Sequence, residues 1–439
     1  MTGKSFKFTP DMFINEPYTI CPNCKTNNLG VLMVSGKYCS QRCKKCFYDD
    51  GFELPQINKK IIYLDQFVVS NLMKSIDKSH PSYGKDDLII WKTIFEKLDK
   101  LLYLRLIICP YSDIHETESV LMNKTSLQVY ESLKRMYHHL SYGKGFSSIE
   151  DTKKSQLYEH FKSHIEKYEY NPQFDIRDII HGNINEWCDN IYITINSKIY
   201  ENAIDDLFNI RNQNHEGISD IFNNVWKKEK KDFNYRYILE VNAHGKSIFD
   251  LYLKSLNDQE KLERGEVNIN DVLGSILGPE KILIHNFFSI LEKNGIKDKN
   301  KQFEIIIHYL LKEDLSNIPY INISSALRGQ IGYLAGINQI GEPNRGMSND
   351  IKVIATYLPY IDSMFIDGGL KRLITDDNVK NKIGKYGNNN IFSSKKEDLP
   401  LFLNYLDNLE KSISDEHLKY VKKAYGEYKG PYESMYNKE

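Results

Sequence analysis

Residues 61–74 read Ile-Ile-Tyr-Leu-Asp-Gln-Phe-Val-Val-Ser-Asn-Leu-Met-Lys, and the hydrophobic pattern changes at Asp65. Ile61 to Leu64 form a short unbroken apolar run, which suits a strand; from Gln66 the apolar residues recur at helical spacing. A strand therefore runs straight into a helix, with an acid at the junction. A helix expected over 86–102 is followed by a second strand candidate, Leu104 to Cys109, stopped by Pro110. Ser112 then stands where it can cap a helix with acidic residues in its first turn. This βαβα grammar predicts an α/β fold with a parallel sheet and right-handed crossovers.

Outward from that core the pattern changes twice. Residues 125–318 carry long amphipathic helical runs, such as 126–140, 153–168, 191–212 and 271–293, with few strand-like segments. The α/β pattern then returns. A helix over 324–337 carries Gly329, Gly332 and Gly336, most simply as a close-packing face, and Ser348-Asn349-Asp350 opens a helix that Pro359 ends. Asp362 and Asp367 flank the next strand, another strand lies near Ile391-Phe392, and a helix covers 398–409. The expected organisation is a ribbon at 1–56, an α/β domain at 57–125 and 320–410, a helical insertion at 126–319 and a Tyr-rich tail at 411–439, which we expect to dock on the body.

The ribbon assignment rests on cysteines. Of seven in the chain of 439 residues, five cluster as Cys21, Cys24, Cys39, Cys43 and Cys46. The first thirteen residues lack the apolar core of a secretory signal, and no run of 18 apolar residues occurs, so the expected setting is cytoplasmic, with reduced thiols and no membrane. Cys21-x2-Cys24 and Cys43-x2-Cys46, separated by eighteen residues, have the spacing of two knuckles on one structural Zn2+. Cys39 is the alternate ligand to Cys43, and a redox dithiol is the competing use of the cluster. Net charge is −1, but residues 1–60 hold nine basic against five acidic residues. Arg42, Lys44 and Lys45 could meet phosphates or offset the charge of a Zn(Cys)4 centre. The basic stretch Trp226 to Arg236 reads as a solvated helix end, and His160 and His164 read as surface residues despite their ligand spacing.

Four acids share one kind of address: Asp65 and Asp367 at strand ends, Glu116 and Asp350 in first helical turns. In a parallel sheet these addresses lie on the carboxyl edge, where open α/β folds bind ligands. Carboxylates gathered there repel one another unless a hard divalent cation, Mg2+ or Mn2+, neutralises them, which points to metal-assisted phosphoryl chemistry. Glu118 and Asp113 rival Glu116, Asp362 rivals or supplements Asp367, and Ser70 and Asn349 could orient metal waters. Each acid alone also suits a turn or helix cap.

The blocks IIYLDQF, IICPYSDIHE and SNDIKVIATYLPYIDSMFIDGGLKRLI resemble, in order and context, the acidic blocks of PIN-domain nucleases. The resemblance implies a three-layer α/β/α sandwich whose metal positions fall on Asp65, Glu116, Asp350 and Asp367. It also implies Mg2+- or Mn2+-dependent cleavage of single-stranded RNA, or sometimes DNA, leaving a 5′-phosphate. Lys371 and Arg372 follow Asp367 closely enough to contact substrate phosphate. It covers under half the chain, and the long interval from Glu116 to Asp350 implies an insertion that gates substrate or offers a surface for a protein partner or a second copy. Phe67 stands where a haloacid-dehalogenase-type phosphatase needs a second Asp, and neither a P-loop nor a G-x-S-x-G elbow occurs. The alternative class is a non-catalytic zinc-ribbon nucleic-acid-binding or scaffold protein; RNA turnover, RNA maturation and a toxin-like or anti-phage role all suit the nuclease reading.

Overall fold

A computed structural model describes residues 10–123, 127–180, 182–187, 201–387 and 390–431. The expected helix segment 191–200, Cys188, and Tyr432 and Tyr436 of the tail lie outside the described residues.

The chain begins with an antiparallel sheet in the order β1 (Asn15–Thr19), β2 (Leu29–Ser35), β3 (Tyr38–Cys43), β4 (Asp49–Glu53). Each Cys-x2-Cys pair sits in a connection of this ribbon, between β1 and β2 or at the end of β3. The parallel sheet follows, built from β5 (Lys60–Leu64), β6 (Ile107–Ile108), β7 (Ser363–Phe365) and β8 (Asn390–Phe392) in the spatial order β6-β5-β7-β8. The strand expected over 104–109 is thus only two residues long. Strand order reverses around β5, so a crevice is expected where β5 and β7 lie side by side. Leu64 pairs with Phe365 at their carboxyl ends.

Alternation along these strands separates two cores. Ile62, Leu64, Ile107, Phe365 and Phe392 face one core, shared with α1 (Gln66–Ile76), α2 (Ile89–Tyr103) and residues of α4 (Leu127–Ser141) and α15 (Asp398–Lys411). Ile61, Tyr63, Ile108 and Met364 face the other. Helices therefore cover both faces of the sheet. α4, on the far side of the expected boundary at 126, packs on α1 and α2. Between β6 and α4 lies α3 (Asp113–Asn123), whose His115 N–H donates to Ser112 Oγ at 3.3 Å, the expected cap.

The second core continues into the helical region through α5 (Ile149–Glu166), α7 (Phe233–Glu263), α9 (Pro279–Lys293) and α10 (Lys299–Lys312), while α6 (Glu201–Ile221) packs on α3 and α8 (Ile269–Ile276) on α7. α11 (Pro319–Gly336) joins it to the body, packed along α7 on one side and against α12 (Met347–Tyr357) and α14 (Asp377–Ile383) on the other. Its glycines explain the close approach. A Cβ on Gly329 would lie 3.0 Å from the Tyr237 backbone, and one on Gly336 2.9 Å from the Glu229 carbonyl. Across α7, a Cβ on Gly245 would fall 1.8 Å from the Leu310 carbonyl oxygen. Trp226 and Arg236 are buried, so the ends of the basic stretch belong to the interior. His160 is likewise buried, its Nδ1 2.9 Å from the Tyr309 hydroxyl, which corrects the surface assignment.

After β7 come α13 (Gly368–Ile374) and α14, and after β8 come α15 and α16 (Asp415–Tyr425). α16 brings Val421 and Ala424 into a third core with Val31 and Cys39 of the ribbon, Leu104 and Trp187. The tail docks as expected over its described part: Tyr425 donates to the Trp187 carbonyl, and Tyr428 to Asp99 Oδ2 at 2.7 Å. Among the described residues no helix is long and apolar enough to cross a membrane.

Candidate functional site

The carboxyl edge of β5 and β7 is where the acids meet. Asp65 N–H donates to the Phe365 carbonyl at 3.0 Å, holding the two strand ends together. Asp65 then caps α1, its Oδ1 accepting the Gln66 N–H at 2.7 Å, and Asp367 caps α13 through Oδ1 and the Gly369 N–H at 2.7 Å. The second oxygen of each carboxylate has no hydrogen-bond partner among the described residues. Local sequence thus produces a fixed pair of carboxyl groups on adjacent parallel strands. Neighbouring strands run about 4.8 Å apart.

α12 delivers Asp350 to the same edge. Asn344 Oδ1 accepts the N–H groups of Gly346 and Met347, at 3.0 and 2.8 Å, and starts this helix, while Ile351, Val353 and Ile354 bury its apolar face. The fourth carboxylate comes from α3, and here the structure departs from expectation. His115 and Ser119 are buried one turn apart, so Glu118, three residues after His115, lies on the inward side. Glu116, rotated about 100° from His115, is exposed and feels Asp113 and Lys134 instead. Glu118, and not Glu116, is therefore the α3 carboxylate that faces Asp65 and Asp350. Asp113 accepts the N–H groups of Ile114 and Ile149, at 2.9 and 3.3 Å, and joins α3 to the start of α5.

The electrostatics identify the same four groups. Burial first, then the charges of Asp65, Glu118 and Asp367, push the Asp350 carboxyl up to about 8, against the opposing influence of Arg211. Burial and the charge of Asp65 push Glu118 up to about 7, opposed by Arg211 and by a hydrogen bond to the Asn349 side chain. Asp65 is pushed up to about 6 by burial and by Asp367, against its bond to the Gln66 N–H. Beneath them Tyr63 is buried, its hydroxyl 3.2 Å from His115 Nε2. Burial pushes His115 down to about 3, so its ring is neutral at pH 7; Nδ1 accepts the Ser112 N–H at 3.1 Å, which leaves Nε2–H as the donor facing the Tyr63 hydroxyl and the Leu64 carbonyl. This pair ties β5 to α3 and fixes the helix that carries Glu118. Asn349 contacts Glu118 as a positioning group would; Ser70 is buried in α1.

Three other expected site residues lie elsewhere or are otherwise engaged. Asp362 stands at the opposite, amino end of β7, bound to Lys60 Nζ at 2.8 Å and to the Ile61 N–H at 2.9 Å, so it fastens two strands and does not reach the acid cluster. Lys371 is paired with Asp398 on α15, which also accepts from Ser393. Arg372 is exposed on α13.

The second candidate centre is the ribbon. The Sγ atoms of Cys21, Cys24, Cys43 and Cys46 lie within 4.8 Å of one another, the only set of three or more ligand atoms at that spacing among the described residues. The acids approach within electrostatic reach but form no such set. The two knuckles repeat one geometry. Cys21 N–H donates to Thr26 O and Cys43 N–H to Tyr48 O, at 2.8 and 2.9 Å, while Lys25 and Phe47 N–H return to the first cysteine's carbonyl at 2.9 and 3.0 Å. Lys25 and Phe47 both take left-handed φ, 58° and 57°. The thiol of Cys24 is brought down to about 6, chiefly by the Thr26 hydroxyl. Cys39 is fully buried in the apolar core under α16, which leaves Cys43 as the fourth member. Arg42 pairs with Asp49 at 3.3 Å and Lys44 lies over the Tyr18 ring, 4.7 Å from its centre. The donor set and geometry are compatible with a structural Zn2+.

No protein-family model, curated protein or solved structure matches this chain. The functional reading rests on the residues themselves.

Proposed function

We propose that this chain is a divalent-metal-dependent, PIN-like nuclease that hydrolyses phosphodiester bonds of single-stranded RNA, or DNA, at Asp65, Glu118, Asp350 and Asp367. The observation that carries this reading is the gathering of four carboxyl groups from β5, α3, α12 and β7 at the reversal point of a parallel sheet, where three of them sit at about 6, 7 and 8. Burying that much like charge is costly, and a hard cation relieves it. An all-oxygen donor set suits Mg2+ or Mn2+.

When bound, the cation would activate water and neutralise charge at phosphorus. The chain's own residues prepare that site. Asp65 and Asp367 each have one oxygen fixed by a helix cap, which leaves the other as a preset ligand. Asn349 orients Glu118, and the Tyr63–His115 pair holds the floor. A PIN-like three-layer sandwich, a structural Zn2+ on the ribbon cysteines, a cytoplasmic location that keeps those thiols reduced, and nucleic acid as the partner belong to the same reading.

The scaffold alternative has one specific support: both aspartates already have a structural use as caps. Asn caps a helix as well as Asp does, so Asp65→Asn and Asp367→Asn separate the two readings. End-labelled single-stranded RNA should be cut with Mn2+ or Mg2+ and remain intact in EDTA. Each variant should lose at least about 100-fold in rate with a melting temperature that does not fall. Undiminished cleavage in EDTA or in both variants rejects the metal-nuclease reading.

A further inference from the structure

The helical region does more than lie beside the sheet. α6 packs against α3, the helix of Glu118, and also reaches the helix of Asp350: Ser219 donates to Glu342 in the loop before α12, and Ile218 shares a small cavity with Met347, Ser348 and Ile351. Arg211 precedes Ile218 by two helical turns, so it lies on the same face of α6, roughly 10 Å back along the axis. It is half-buried. Its charge acts on both Glu118 and Asp350, yet no carboxylate among the described residues lies within ion-pair distance of it. A guanidinium held within electrostatic reach of an acid cluster, but short of contact, leaves a gap between cation and carboxylates. A tetrahedral phosphate fits the chemistry of that gap, with oxygens toward a metal on one side and a bidentate donor on the other.

Resting on the nuclease reading, we infer that Arg211 is the substrate-phosphate anchor of the site, supplied by the helical insertion. The insertion then completes the site, and the acids hold the metal while Arg211 holds the strand. Lys371, the residue expected for this task, is occupied by Asp398.

The test uses the full-length chain, a single-stranded RNA oligonucleotide and Mn2+. Arg211→Ala should raise KM about tenfold or more, and reduce the slope of log affinity against log salt by about one. Arg211→Lys should recover part of the loss. Mn2+ affinity measured by calorimetry should stay equal or rise, because a positive charge has left the neighbourhood of the acids, and the melting temperature should hold. Unchanged KM and salt slope in Arg211→Ala overturn the inference alone, because cleavage persists. Loss of Mn2+ binding or a large drop in melting temperature overturns it too, since Arg211 would then be structural. Absence of Mn2+-dependent cleavage in the unmodified protein removes the reading and the inference together.

Discussion

At the scale of single residues the account turns on two glutamates, two positions apart on α3. Glu118→Gln should lower the cleavage rate at least about 100-fold, whereas Glu116→Gln should leave it within about twofold, as measured on single-stranded RNA at saturating Mn2+. Equal losses would place both in the site. The sequence around them, Asp-Ile-His-Glu-Thr-Glu, offers no apolar stripe from which to read helical phase, so the choice depended on where α3 packs. The signal that was present is His115, a polar residue whose burial against Tyr63 sets the phase. Asp362 was illegible for a different reason. The two ends of a three-residue strand look alike in sequence, but one lies on each edge of the sheet.

Asp350 makes a pH prediction. Its carboxyl rises from an ordinary 3.8 to about 8 in the folded chain. Its contribution to stability is therefore complete below about pH 4 and is lost as pH rises through about 8. Without divalent cations, stability should fall between pH 5 and 8. Asp350→Asn should flatten that slope and stabilise the metal-free protein at pH 8 by about 1–2 kcal/mol, less than the full shift because the site is partly solvated. Urea unfolding at the two pH values measures it; an unchanged slope would remove Asp350 from the strained cluster.

At the scale of elements, the ribbon and the helix crossings were legible to different depths. Paired Cys-x2-Cys spacing located both knuckles, because two short turns must present thiols at fixed offsets. The place of Cys39 was not legible, since it depends on α16, nearly 400 residues further along the chain. The two cysteines should part company experimentally. Cys21→Ser should lose the roughly one equivalent of zinc expected by elemental analysis, and Cys39→Ser should keep it while losing about 1–3 kcal/mol from a hydroxyl buried in an apolar core. Retained zinc in Cys21→Ser would contradict the four-cysteine site. In the helical region the glycines of α11 were readable as a packing face. Gly245 was not, because its partner is the backbone of α10. Gly245→Ala should destabilise by about 2–4 kcal/mol or distort the crossing, readable as a lower midpoint in urea; a neutral effect would mean that α7 and α10 separate easily.

At the scale of the whole molecule, a near-neutral chain conceals concentrated charge. The net value of −1 says nothing of a site where Asp65, Glu118, Asp350 and Asp367 act on one another. The βαβα reading foresaw the parallel sheet because period changes are local. It could not foresee that an apolar core would run unbroken from β5 and β7 into α7, α9, α10 and α11, or that α6 would bridge the helices of Glu118 and Asp350. The ribbon, the end of α2 and the C-terminal helix likewise share one core through Cys39, Leu104, Trp187 and Val421.

The central claim is that these four acids hold a divalent cation, and crystals grown at pH 8 with Mn2+ test it most directly. The account predicts an anomalous-scattering peak bonded to oxygens of Asp65, Asp350 and Asp367, with Glu118 as a further ligand or bound through water. It also predicts that the peak vanishes in Asp65→Asn. A cluster without a peak, in crystals that hold Mn2+ elsewhere or at millimolar Mn2+, would contradict it.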